Sequence, residues 1–104
     1  MIAIADYGVG NLFSLRCSLD KIGAKSTVTG DGAALAAADA IILPGVGAFG
    51  DAAKKLSDSG LAAVIKEQAS RGKPILGICL GMQLLFDKSF EFGEHAGLGL
   101  IHGE

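Results

Sequence analysis

The five residues Gly77-Ile78-Cys79-Leu80-Gly81 constrain this chain more than any other stretch. They end an apolar run, Pro74 to Ile78, that reads as a strand, and they lead into Leu80 to Phe86, which reads as a helix. A reactive side chain between strand and helix, with glycine two positions before and two after, has the form of a nucleophile elbow. Such a turn brings strand and helix almost into contact, and only residues without a Cβ fit on either side. A thiol placed there projects above the sheet and sits at a helix start, where the dipole and free N–H groups favour thiolate. A small buried core cysteine is the alternative, but it leaves both flanking glycines unexplained.

Similar junctions recur along the chain. Ile2 to Ala5 reads as a first strand, ending at Asp6-Tyr7-Gly8-Val9-Gly10, and Asn11 to Ile22 as a helix with Leu12, Leu15, Leu19 and Ile22 on one stripe. Gly23 is its natural stop. Lys25 to Thr29 reads as an exposed second strand, and Asp31 as the cap of a short alanine-rich helix. Ala40 to Leu43 is a buried strand stopped by Pro44, and Phe49 to Ser70 is helical in two parts, broken near Ser57-Asp58-Ser59-Gly60. Phe90 to Gly97 reads as a loop and Leu98 to Ile101 as one more short strand. The 16 glycines bunch at the ends of the apolar runs, which suits tight strand-to-helix turns and not a flexible linker. Strands alternating with helices, most of them continuously apolar, imply an α/β fold with a parallel sheet covered on both faces.

Bulk properties exclude several classes. At 104 residues, 50% of them hydrophobic, the chain has enough apolar material for one core. A formal charge of −2 provides neither a nucleic-acid footprint nor a polybasic membrane patch. The only cysteines, Cys17 and Cys79, share no metal-ligand spacing and form no disulfide framework, so neither a metal nor a cofactor is expected. Met1 to Asp6 lacks the cationic flank and length of a secretory leader, and no apolar stretch is long enough to span a bilayer. The expectation is a cytoplasmic protein.

Gly45-Val46-Gly47-Ala48-Phe49-Gly50 matches the dinucleotide fingerprint literally. Its context argues otherwise, because the next strand ends at Cys79 where an acid should hold the ribose hydroxyls. A glycine-rich strand end beside the elbow serves better as a source of backbone donors. An N–H from Val46 or Gly47, with that of Leu80, would form an oxyanion hole for a tetrahedral intermediate at Cys79. Asp6 could suggest a receiver-type phosphoacceptor, but the central strand ends at Pro44 where a second Asp is required, so Asp6 reads as a turn former. His95 and His102 read as solvated groups, which leaves the elbow without a base.

Together, Asp6-Tyr7-Gly8-Val9-Gly10-Asn11, Pro44-Gly45-Val46-Gly47 and Gly77-Ile78-Cys79-Leu80-Gly81-Met82-Gln83 resemble the class I (triad) glutamine amidotransferases. Within them, the opening motif with Pro-Gly-Val-Gly is most similar to the branch formed by the glutaminase subunits of imidazole glycerol phosphate synthases. Gly97 to Ile101 resembles the strand after the elbow helix in that branch. The resemblance implies a flavodoxin-like three-layer fold of which residues 1–104 are the N-terminal part of a single domain. It implies that Cys79 attacks the side-chain amide of L-glutamine, with the oxyanion hole supplied by Leu80 and by Val46-Gly47. The peptide at Val46 would have to reorient to complete that hole. Gly47, Gln83 and Glu91 would contact the substrate, and Asn11 would contact a synthase (cyclase) subunit that receives ammonia. The family's catalytic His and Glu lie well downstream, and His102 does not take their place, so the 104 residues alone are expected to be nearly inert. A truncated sheet would also expose an apolar edge and invite self-association. A partner-docking piece without catalysis, another class I amidotransferase, and a redox or chaperone protein of the related elbow-cysteine fold remain as alternatives.

Overall fold

The computed structural model describes residues 1–104. The chain runs β1 (Ile2–Ala5), α1 (Leu12–Lys21), β2 (Ser26–Thr29), α2 (Gly32–Ala37), β3 (Ala40–Leu43), α3 (Phe49–Asp58), α4 (Leu61–Ser70), β4 (Ile75–Gly77), α5 (Leu80–Leu84), β5 (Lys88–Ser89) and β6 (His95–Ala96). The first four strands form one parallel sheet in the order β2-β1-β3-β4, and β5 pairs antiparallel with β6. Going from β1 outward to β2 and then back past β1 to β3 reverses the winding. The carboxyl ends of β1 and β3 therefore flank a topological switch point, where open α/β sheets bind ligands.

Local signals account for the elements. Asn11 caps α1 through its side chain, which accepts from the Ser14 N–H at 3.2 Å, and Asp31 caps α2 by accepting from Ala33 at 3.0 Å. Asn11 is thus the cap of the helix and not its first turn. Gly60, in the left-handed region at φ 81°, separates α3 from α4. α3 buries Phe49, Ala52 and Leu56, and α4 buries Leu61 and Ile65, each on one helical stripe.

These stripes meet Ala3, Ala5, Ile41 and Leu43 of the sheet, with Leu35, Leu80, Leu84 and Leu98, in one apolar core. Nine large side chains, Phe49, Ile4 and Ile65 among them, are essentially sealed from solvent. The opposite sheet face differs from the expectation of full cover. α1 buries no residue completely, Ile22 is 76% exposed, and Leu76 on the outer strand β4 is 57% exposed. Ile2, Leu19, Ile42, Pro74 and Leu76 line an open apolar groove there.

Three other expectations are corrected. Leu98 to Ile101 is not a strand, because only an isolated parallel bridge joins Ile101 to Phe86. Phe90 to Gly97 is not simply a loop; its far end folds back as β6 onto β5. The elbow helix ends at Leu84 and not at Phe86.

Candidate active site

Gly77 and Gly81 show why the elbow needs glycine. A Cβ on Gly77 would lie 2.6 Å from the Met82 Cα, and one on Gly81 would fall on the carbonyl oxygen of Leu43. Strand β3, strand β4 and α5 are in backbone contact at this point, and any side chain there would force them apart. Between the glycines, Cys79 adopts φ 54°, ψ −123°, a conformation that costs an L residue on the order of 1–3 kcal/mol. Surrounding hydrogen bonds hold it: Ile78 N–H to Leu43 O at 3.0 Å, Gly81 N–H to Ile78 O at 2.9 Å, and Met82 N–H to Cys79 O at 3.0 Å. The thiol is exposed and unbridged.

The donors around it are arranged differently from the expectation. The N–H groups at the start of α5 are not free, because Gly81, Met82 and Gln83 donate within the elbow itself. The Leu80 N–H donates to the carbonyl oxygen of Gly45 at 3.2 Å. That bond places the Pro44-Gly45-Val46-Gly47 loop directly beside the cysteine turn, and it also occupies the N–H that the sequence reading assigns to an oxyanion hole. The Gly45 carbonyl and the Val46 N–H belong to one planar peptide unit. Turning that unit over withdraws the oxygen from Leu80 and brings the Val46 N–H toward the same place. Val46 and Gly47 donate to nothing in the chain, Val46 is 56% exposed, and Gly47 sits at φ 94° with nothing within 4 Å of where a Cβ would be.

Both ends of this loop are tied down. The Tyr7 hydroxyl, buried under the loop, donates to Pro44 O at 2.6 Å, and burial pushes its pKa up to about 12. At the other end the Glu91 carboxylate accepts from the Phe49 N–H at 3.1 Å. It caps α3 from 42 residues away, because the N-cap residue Ala48 has no side-chain acceptor. An acid on the first N–H of α3 also opposes the dinucleotide reading, since a pyrophosphate would need that position.

The remaining sequence-derived residues scatter. Gln83 lines a cavity with Phe49, Met82 and Phe86, whereas Glu91 lines a neighbouring one with Ala48, Asp51 and His95. Asn11 lies at the α1 start beyond the carboxyl end of β1. Asp6 closes its turn by accepting from Gly8 at 3.3 Å. His95 is not a freely solvated loop residue. Its ring packs on the Cα of Gly50, where a Cβ would come within 2.7 Å of it, and Nε2 lies 3.3 Å from Phe92 O. His102 is 95% exposed in its side chain, with Nδ1 3.5 Å from Asp87. Neither imidazole hydrogen-bonds Cys79. Sequence reasoning missed Tyr7 as a clamp and Glu91 as a helix cap. The missing acceptor at Ala48 was the one available hint of the latter.

Comparison with known proteins places this geometry in context. A protein of Wolinella succinogenes named imidazole glycerol phosphate synthase subunit HisH is 56% identical over 104 residues, which is all of this chain and 51% of that protein. The protein of the same name from Sulfurimonas denitrificans is 57% identical over 104 residues, again all of this chain and 50% of its own length. The chain spans about half the length of the curated relatives it matches. A crystal structure described as a glutamine amidotransferase superposes with a TM-score of 0.81 at 19% identity, covering 96% of this chain and 52% of that one, which establishes the shared fold. The profile of the CobB/CobQ-like glutamine amidotransferase domain matches residues 2–104, and the chain belongs to that family.

Proposed function

We propose that this chain forms the nucleophile-bearing part of a glutaminase subunit of imidazole glycerol phosphate synthase, acting in the cytoplasm in histidine biosynthesis. The observation that carries the reading is the exposed Cys79 held at positive φ with the glycine loop abutting its turn. The family's description, a glutamine amidotransferase domain, supports the substrate class, and the relatives' names, each a subunit of imidazole glycerol phosphate synthase, support the synthase partner.

In this mechanism the Cys79 thiolate bonds to the side-chain amide carbon of L-glutamine, and the carbonyl π pair moves to oxygen. That oxyanion is received by the N–H groups of Leu80 and, after the peptide turns, Val46, with Gly47 lining the approach. Collapse expels the amine with a proton from a general acid, leaving a glutamyl thioester. Water then cleaves the thioester to glutamate and the free thiol. Gln83 and Glu91 orient the amino-acid end of the substrate, and Asn11 faces the synthase subunit that takes up the ammonia. Neither His95 nor His102 hydrogen-bonds Cys79; on this reading, a thiol assayed without general-base help would turn over more slowly by on the order of 10²–10⁴-fold. The open β4 edge and the apolar groove beside it favour self-association of the isolated chain.

Glutamate release is the test. A protein of the relatives' full length containing these residues, mixed with a synthase subunit, should hydrolyse glutamine, and Cys79→Ala should abolish the reaction. Unchanged turnover in that variant would contradict the proposal and favour a docking role alone.

A further inference from the structure

Tyr7 has no part in the chemistry just described, yet its hydroxyl is among the most constrained polar groups near the site. It lies two residues after β1, buried, and donates to Pro44 O at 2.6 Å. The same oxygen atom of Tyr7 packs on Gly45, where a Cβ would come within 2.9 Å of it, and the Gly81 N stands 2.8 Å from that position. On the far side of Pro44, Gly10 leaves no more than room for the ring, since a Cβ there would be 3.2 Å from the Pro44 Cβ. Pro44 is thus anchored at its carbonyl by Tyr7 and flanked at its ring by Gly10, whereas the next peptide, Gly45–Val46, has only its carbonyl engaged, on Leu80.

We propose that Tyr7 is a positioning residue for the oxyanion hole: its hydroxyl holds the Pro44 carbonyl so that only the Gly45–Val46 peptide turns when the Leu80 N–H is freed. With Pro44 O anchored, rotation about the bonds flanking that single unit exchanges its carbonyl for its N–H at the same place. Without the anchor, the Pro44–Gly45 unit rotates as well, and the Val46 N–H arrives displaced from the Leu80 donor. The high pKa of Tyr7 keeps the hydroxyl protonated, and so a donor, throughout the working range.

This inference rests on the glutaminase reading, and its test separates the two. In a full-length protein containing these residues, with its synthase subunit, Tyr7→Phe is expected to lower kcat for glutamine hydrolysis about tenfold or more, with KM changed by less than about twofold. Labelling of Cys79 by a diazo-ketone analogue of glutamine, whose carbonyl passes through a tetrahedral oxyanion, should slow in parallel. Alkylation of Cys79 by iodoacetamide needs the thiol but no oxyanion hole, and should be unchanged. A merely structural tyrosine would slow both labels together or neither, and either result overturns the proposal. If Tyr7→Phe does not fold, a fluorinated tyrosine at position 7 keeps ring and hydroxyl and ionises earlier. The selective loss should then appear only on the alkaline side, and a flat profile would count against the role. Failure of the unsubstituted protein to react with the diazo-ketone contradicts the glutaminase reading itself.

Discussion

The Leu80 N–H donates to the Gly45 carbonyl oxygen at 3.2 Å, so the donor best placed for an oxyanion at Cys79 is closed by the neighbouring strand end. The lock is one peptide unit wide, and its release needs no movement of a helix or strand. In this arrangement the Leu80 N–H becomes available only when the Gly45–Val46 peptide turns.

Removing the Val46 N–H should leave the lock intact and remove its productive alternative. In a protein of the relatives' full length containing these residues, Val46→Pro is expected to lower kcat for glutamine hydrolysis by on the order of 10²–10³-fold, the usual cost of one oxyanion donor. Steady-state kinetics with a fold check by circular dichroism measures this. Retention of more than about a tenth of the activity would show that Val46 is not the second donor.

The glycines of the elbow make a stability claim. Gly81→Ala drives a methyl onto the Leu43 carbonyl, where β3 and α5 touch through backbone. The expected destabilisation is at or above the upper end of the ~1–3 kcal/mol typical of overpacking, because no side chain is available to yield. Gly23→Ala offers the contrast, since nothing lies within 4 Å of the added carbon and only the positive φ of 79° opposes it. Denaturant midpoints of the two variants should differ in that order.

Lys73 tests a tertiary cap. Its Nζ reaches Leu35 O at 3.1 Å and Ala36 O at 2.5 Å, closing the carboxyl end of α2 with a positive charge. Lys73→Met is expected to cost about 1 kcal/mol, whereas Arg71→Met, which breaks an exposed bridge to Glu67 at 2.8 Å, should cost less than about 0.5 kcal/mol. Thermal melts at equal ionic strength compare them.

Tyr7 gives the fold an alkaline limit. Its pKa stands at about 12 against 10.0 for the free phenol, because burial disfavours the phenolate. Below pH 10 both folded and unfolded chains keep the proton and the contribution is complete. Between 10 and 12 the unfolded chain binds fewer protons, so stability falls as pH rises. The difference in melting midpoint between the unsubstituted protein and Tyr7→Phe should therefore narrow across that window, and a constant difference would contradict the assignment.

Much of this arrangement is legible in the sequence because it is local. Asp31 and Asn11 cap the helices that follow them, and β1 and β3 are continuous apolar runs bounded by turn residues. The elbow is visible as glycine spacing. What is not legible depends on distant partners. Leu98 to Ile101 has strand composition, but its N–H groups at Leu98, Leu100 and Ile101 donate to carbonyls of the α5 region, Leu84 and Leu85, which prevents a ladder. His95 has the surroundings of a polar loop and becomes partly buried only because Gly50 presents a bare Cα to its ring. Whether the Leu80 N–H is open or closed depends on the rotation of one peptide 35 residues upstream, for which no residue pattern exists.

Site-resolved labelling decides the central claim. A protein of the relatives' full length containing these residues is treated with the diazo-ketone analogue of glutamine and digested, and the adduct is located by mass spectrometry. Cys17 is exposed on α1 and serves as the internal control for nonspecific alkylation. The expected result is an adduct on Cys79, prevented by excess glutamine, with Cys17 unmodified. Absence of an adduct on Cys79, or equal modification of both thiols without protection by glutamine, would contradict the assignment of Cys79 as the nucleophile.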